Sequence, residues 1–81
     1  MKIPRDISAE KLIKALEKFG YNITRQKGSH IRLTIDLGDR LHHITIPNHD
    51  SIKIGTLNNI LSDLSKVHRI DKKDIVKKLF E

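Results

Sequence analysis

The sequence predicts an α+β fold in which helices cover one face of a three-stranded antiparallel sheet. Apolar residues recur at helical spacing near the start of the chain and again in its second half. Between these segments, apolar and polar residues alternate with the period of two that half-buried strands show. Short turns separate the alternating segments, which favours an antiparallel meander.

The first predicted element is a helix over residues 8–19. Ser8 is a suitable N-cap residue, and Glu10 lies in the first turn, where a carboxylate stabilises the helix dipole. Gly20 follows the last turn and suits the left-handed conformation that commonly ends a helix. The apolar stripe that we expect in the core comprises Leu12, Ile13, Leu16 and Phe19.

Three strands are predicted to follow, over residues 21–27, 30–36 and 41–46. Gly28 lies in the first connecting turn and provides the freedom in φ that a tight turn needs. Pro47 ends the third strand because proline has no N–H to donate to a ladder. The second strand alternates most clearly, and its apolar face carries Ile31, Leu33 and Ile35.

Alternation also predicts which side chains lie on the open face of the sheet. The helices must cover the one apolar face, so the opposite face is left to solvent. In the first strand, strict alternation groups Arg25 with Tyr21 and Ile23. In the second strand, the residues expected on the open face are His30, Arg32 and Thr34.

Two further helices are predicted over residues 55–65 and 71–80. The apolar face of the first comprises Ile54, Leu57, Ile60, Leu61 and Leu64. The second has a lysine-rich face, which comprises Lys72, Lys73, Lys77 and Lys78. Such a face is usually only solvated, and the alternative is that it binds RNA phosphates or a partner protein. The α-β-β-β-α order is shared with double-stranded-RNA-binding domains and is here followed by an additional C-terminal helix.

Composition excludes several classes of protein. The chain has 81 residues, so one domain over residues 1–81 is expected. It contains no cysteine, which excludes disulfides and thiolate metal sites and fits a reducing compartment. No apolar segment approaches the roughly 20 residues of a membrane span. The N-terminal segment lacks the apolar run of a signal peptide, so we expect a cytoplasmic protein without membrane contact.

Positive charge is concentrated on the predicted strands. The net charge is +6, from 16 Lys and Arg against 10 Asp and Glu. Between Glu17 and Asp36 there is no acidic residue. Positive charge also serves solubility, but a local basic region of this kind favours a nucleic-acid partner. The window contains Lys18, Arg25, Lys27, His30 and Arg32.

His30 is the residue best suited to chemistry. It follows Gly28 and Ser29 at the start of a strand, and Lys27 and Arg32 are close on either side. An imidazole titrates near neutral pH and can act as a general base or acid. RNA supplies its own nucleophile, the 2′-hydroxyl, so cleavage needs only proton transfer and positive charge near the phosphate. The residues alone do not distinguish a catalytic His30 from an exposed strand histidine that has no catalytic role.

The other histidines do not have the spacing of a metal site. Adjacent strand residues point to opposite faces, so His42 and His43 cannot easily share one ion. One of them is expected beside the second strand, near His30. The separation of His43 and His49 matches no trusted zinc spacing. His68 lies in a polar connection and is expected to be solvated. We therefore expect no metal ion and no cofactor.

Two segments resemble the HicA-type toxin family. The first is Lys-Gly-Ser-His at residues 27–30, which resembles the Gly-Ser-His motif of these toxins. The second begins with Ile-Pro-Asn-His at residues 46–49 and continues through residues 52–57, and it resembles the second family signature. The two segments occur in the order of the family, and the resemblance covers roughly residues 8–64.

The resemblance implies a double-stranded-RNA-binding-like fold and a metal-independent ribonuclease that cleaves mRNA. It implies that His30, the motif histidine, is catalytic, and that a HicB-type antitoxin inhibits the protein. The residues we expect to bind RNA are Arg25, Lys27, Gly28, Ser29 and Arg32. The free protein is expected to be a monomer. The C-terminal segment after Asp63 departs from the shortest family members.

Two alternatives remain open at this point. The same element order and charge would serve a double-stranded-RNA-binding module with no catalysis, whose affinity falls steeply with salt because it depends on phosphate contacts. A DNA-binding or purely protein-binding partner in an operon is the second alternative. Cleavage of RNA distinguishes the toxin from both.

Overall fold

The computed structural model describes residues 3–81, in which the α+β order predicted from the sequence is confirmed. Met1 and Lys2, which belong to the expected domain and N-terminal segment, lie outside the described residues. The elements are α1 (Ala9–Phe19), β1 (Asn22–Lys27), β2 (His30–Asp36), β3 (Leu41–Pro47), α2 (Ile54–His68) and α3 (Lys72–Phe80).

Both ends of α1 have the caps that the sequence predicts. The Ser8 hydroxyl accepts a hydrogen bond from the Lys11 N–H at 3.1 Å. At the other end, the N–H of Gly20 donates to the Leu16 carbonyl, and the φ of Gly20 is +125°. A Cβ at this position would lie 3.2 Å from the Ile35 side chain. Glycine therefore serves both the backbone conformation and the close packing of α1 on the sheet.

The sheet is an antiparallel meander in the order β1-β2-β3. The β2–β3 register is regular, and it runs from the His30–Pro47 pair at one end to the Asp36–Leu41 pair at the other. The turn between β1 and β2 contains Gly28 at a φ of +57°, a left-handed conformation that glycine adopts without steric cost. This register determines which side chains share the open face.

A register shift interrupts β1 at Thr24. Ile23 pairs with Leu33, but the next pair joins Arg25 to Arg32, so Thr24 is the extra residue of a bulge. Directly paired residues in antiparallel strands point to the same face. Arg25 therefore lies on the open face beside Arg32, and the prediction that grouped it with Ile23 is wrong.

The core lies between the sheet and all three helices, and α3 packs against both α1 and α2. The sheet contributes the apolar sides of β2 and β3, as alternation predicts. Burying each such side chain contributes about 1.5–3 kcal/mol. The core includes Leu12, Leu16, Leu33, Ile44, Ile46, Leu57, Leu61, Leu64, Ile75 and Leu79.

The second helix is longer than predicted, because α2 continues to His68 rather than ending at residue 65. Arg69 follows in the left-handed conformation and donates its N–H to the Ser65 carbonyl. No glycine or proline marks this end in the sequence, so its position could not be read from the usual stop signals. The extra turn brings His68 against the core, and the prediction that His68 is solvated is wrong.

A buried tyrosine hydroxyl connects the sheet to α2. Tyr21 lies 2.8 Å from His42 Nδ1 and 2.8 Å from His68 Nε2, measured from its hydroxyl oxygen. The other ring nitrogen of His42 lies 3.0 Å from Asp63 Oδ2. Because the carboxylate can only accept, neutral His42 carries its proton on Nε2. Tyr21 then donates to His42 and accepts from His68.

This network shifts the ionisation of two of its members. Burial, reinforced by the negative charge of Asp63, raises the pKa of Tyr21 above its ordinary value. Burial and the neighbouring His42 lower the pKa of His68, an effect that Asp63 partly opposes. Both shifts favour the neutral side chains, which are the forms that make the hydrogen-bonded chain.

Candidate functional site

The β1–β2 turn presents the predicted motif on the molecular surface. Lys27 and His30 form the last pair of the β1–β2 ladder, and Gly28 and Ser29 make the exposed turn between them. The Ser29 carbonyl accepts a hydrogen bond from the N–H of Asn48, at 2.6 Å. The loop after β3 thereby fixes the turn, so the segments that carry the two family signatures are in contact.

A shallow depression of about 190 Å³ opens on the face of the sheet that the helices leave uncovered. It combines four residues predicted for the site with one, Thr45, that sequence reasoning missed. Thr45 pairs with Arg32 across β2 and β3, so the alternation of β3 carried the signal. Gly28 and Ser29 form the adjacent turn and do not line the depression. Its lining residues are Arg25, Lys27, His30, Arg32 and Thr45.

The positive charges in the depression are not neutralised locally. Within residues 3–81, no carboxylate forms an ion pair with Arg25, Lys27 or Arg32. Arg25 and Arg32 stand directly opposite each other, an arrangement of like charges that is unfavourable in a sheet. The buried Nε of Arg32 also has no hydrogen-bond partner in the described part of the chain. A bound anion would relieve the repulsion between the two guanidinium groups.

The arrangement can neutralise an anion and transfer a proton beside it. The guanidinium groups of Arg25 and Arg32 suit a phosphate, because each offers several N–H donors in a planar fork. His30 is exposed at the start of β2, where its imidazole can reach a bound molecule. The depression is open and smaller than ordinary small-molecule pockets, so it contacts an extended ligand from one side.

The remaining histidines lie away from His30. His42 faces the helices, in the network around Tyr21. His43 lies beside β2 on the open face, as expected for one of the pair, but it pairs with Thr34. That position is four residues from His30, or about 13 Å along the strand. The expectation that one of these histidines stands near His30 is therefore wrong.

The rest of the described chain holds the buried network around Tyr21 and a second cavity, and neither contains a residue predicted for the site. Within residues 3–81, no three His, Cys, Asp or Glu side chains are arranged to hold a metal ion. A cavity of about 450 Å³ lies on the helical side and contains none of the predicted site residues. Among the same residues, every helix is too short or too polar to cross a membrane.

A family model, described as the HicA toxin of bacterial toxin–antitoxin systems, matches residues 9–65. The chain belongs to the HicA toxin family. The matched region begins with α1, includes the whole sheet and the turn at Gly28, and ends within α2, so α3 lies outside it. Membership in the HicA family assigns the chain to the toxins of toxin–antitoxin systems and implies an antitoxin partner. Comparisons with curated proteins and with solved structures found no significant match.

Proposed function

We propose that this HicA family member is the toxin of a type II toxin–antitoxin system and a metal-independent endoribonuclease that cleaves mRNA through His30. One observation carries the proposal. An exposed histidine shares an open depression with three cations that have no carboxylate partner in the described part of the chain, within the region that matches the family. Shallow cationic surfaces suit a polyanion, and the histidine adds the proton transfer that binding alone does not need.

In the proposed reaction, the 2′-oxygen of RNA attacks the adjacent phosphorus and the bond to the 5′-oxygen breaks. The proton of the 2′-hydroxyl passes to a base, and the leaving 5′-oxygen takes up a proton. His30 is the base or the acid in this exchange. The products are a 2′,3′-cyclic phosphate and a 5′-hydroxyl. General acid–base catalysis of this kind contributes about 10²–10⁴ in rate.

The neighbouring residues bind the substrate in this proposal. Arg32 and Lys27, with Arg25, neutralise the charge that develops on the phosphate. The two arginines that stand opposite each other support an anion in this position, because it would reduce their mutual repulsion. Gly28 and Ser29 allow the RNA backbone to approach closely, since nothing lies within 4 Å of a Cβ placed at Gly28. We further propose a HicB-type antitoxin, a monomeric free protein and a cytoplasmic location.

A non-catalytic double-stranded-RNA-binding module is the second candidate. The element order favours it, because helix–three strands–helix is the order of such domains. Such a module would use the same cations for phosphates and would leave the RNA intact.

Incubation of purified protein with a labelled structured RNA in excess EDTA tests the proposal. The variants are His30→Ala and, as a matched control, Gln26→Ala, which truncates an exposed β1 residue on the other side of the sheet. We expect the wild type and the Gln26→Ala control to cleave the RNA and His30→Ala to leave it intact. Equal cleavage by His30→Ala would reject the catalytic role. Intact RNA in every lane, with a gel shift that weakens in salt, would instead support the binding module.

A further inference from the structure

A row of hydrogen-bonded side chains crosses the open face beyond the depression. The hydroxyls of Thr24 and Thr34 are 2.7 Å apart, and the Thr34 hydroxyl is 2.8 Å from His43 Nδ1. At its far end, the Thr24 hydroxyl donates to the Arg32 carbonyl at 3.4 Å. Thr34 is only 9% exposed although it is polar and points away from the helices. The row thus holds the imidazole of His43 from one side.

The end of the row determines which His43 nitrogen is free. Because a carbonyl only accepts, Thr24 donates to it, Thr34 donates to Thr24, and His43 Nδ1–H donates to Thr34. The other ring nitrogen, Nε2, makes no hydrogen bond within residues 3–81, and His43 is exposed. In the imidazolium form, Nε2 carries a proton and can donate to an anion while Nδ1 keeps its partner.

His43 lies on the same open face as the depression, beyond Arg32. Arg32 lies halfway between His30 and His43 on the same face. The helices α1, α2 and α3 all pack on the other side of the sheet, so none of these three covers this face. On this face the strand register places Arg32, with Arg25 opposite it, on one side of His43 and Asp36 on the other. The cations of the depression therefore approach His43 through Arg32, and Asp36 lies on its other side.

We propose that His43 forms a second RNA subsite, in which the Nε2–H of its imidazolium form donates a hydrogen bond to a phosphate a few nucleotides away from the one cleaved at His30. The subsite rests on the proposed function, because it extends the same RNA along β2. The separation of about 13 Å along the strand prevents both histidines from contacting one phosphate. His43 is thus a binding residue, and it makes affinity depend on RNA length.

Fluorescence anisotropy with 2′-O-methyl oligonucleotides tests the subsite. These probes keep their phosphates but lack the nucleophile, so binding is measured without cleavage. A dinucleotide reaches the depression alone, and an octanucleotide also reaches His43. Two variants distinguish the role of Nε2 from that of Nδ1. In His43→Asn the side-chain amide can replace Nδ1 only, whereas in His43→Gln the side-chain amide extends to the position of Nε2. Leu41→Ala, an exposed change on the same strand, is the control.

We expect His43→Asn to weaken octanucleotide binding about tenfold, as for loss of one charge-assisted hydrogen bond. Dinucleotide binding should not change, the control should match the wild type, and His43→Gln should recover part of the loss. The slope of log affinity against log salt should fall by about one for His43→Asn with the octanucleotide.

Three results would overturn the subsite. If His43→Asn binds the octanucleotide like the wild type while Arg32→Ala weakens both probes, the subsite fails and the proposed function stands. If His43→Asn weakens both probes equally and His43→Gln restores neither, the residue acts through the fold. If the wild type binds neither probe and leaves unmodified RNA intact, the proposed function fails and the subsite with it.

Discussion

Replacement of Tyr21 by phenylalanine tests whether the buried network stabilises the fold. The change removes one hydroxyl and retains a ring that is 1% exposed. That hydroxyl makes two hydrogen bonds, each 2.8 Å long. A typical bond contributes about 0.5–1.5 kcal/mol, so the two together contribute about 1–3 kcal/mol. His42 keeps its contact with Asp63 and His68 is half-buried, so water can replace part of the loss. We expect a loss of about 2 kcal/mol.

Such a loss is large for a chain of this size. A domain of 81 residues has a free energy of unfolding of about 4–12 kcal/mol by per-residue scaling. The midpoint of thermal unfolding should fall by about 8–16 °C, at 4–8 °C for each kcal/mol. Urea unfolding at pH 7.5, followed by far-UV circular dichroism, measures the difference directly. Thr45→Val, which removes an exposed hydroxyl, is the matched control.

A difference of less than about 0.5 kcal/mol between Tyr21→Phe and the wild type would refute this account, since surface changes have effects of that size. The denaturant slope should stay constant, because the change does not alter the surface exposed on unfolding. A loss of stability with an altered slope would mean that the variant has a different native or denatured state, and that the hydrogen bonds are not the cause.

The remaining predictions concern stability. The pKa of His68 is lowered from 6.5 in the folded state, so the unfolded chain binds more protons at mildly acidic pH. The free energy of unfolding should therefore fall as the pH drops below about 6.5, and urea titrations at pH 7.5 and 5.5 measure this fall. His68→Gln should make the free energy of unfolding depend less on pH. Gly28→Ala should cost about 1–2 kcal/mol in the same assay, because alanine is strained at a φ of +57°. Leu64→Ala should cost about 2–5 kcal/mol, because the side chain is fully buried. An acid-stable wild type, or unchanged midpoints in either variant, would contradict these expectations.

The sequence predicted the parts of the fold in which a single periodicity governs a whole element. The alternation in β2 and β3 is unbroken, so the open faces of both strands were predictable, including the position of His30. The caps at Ser8 and Gly20 were predictable because their chemistry is local to the chain.

The errors arose where contacts between distant segments decide the structure. The bulge at Thr24 depends on pairing between strands, which alternation within one strand does not encode. It moved Arg25 onto the open face and so completed the cationic depression. The position of His68 depends on where α2 ends and on the hydroxyl of Tyr21 across the core. The distance between His30 and His43 likewise follows from the β2–β3 register.

The measurement that tests the central claim most directly is the single-turnover rate of RNA cleavage in EDTA, together with the chemistry of the product ends. We expect the wild type to produce 2′,3′-cyclic phosphate and 5′-hydroxyl ends, and His30→Ala to lower the rate by about 10²-fold or more. Binding of 2′-O-methyl RNA by the variant should remain, because the cations of the depression are intact. Cleavage by His30→Ala at the wild-type rate, or products with 3′-hydroxyl ends, would contradict the central claim.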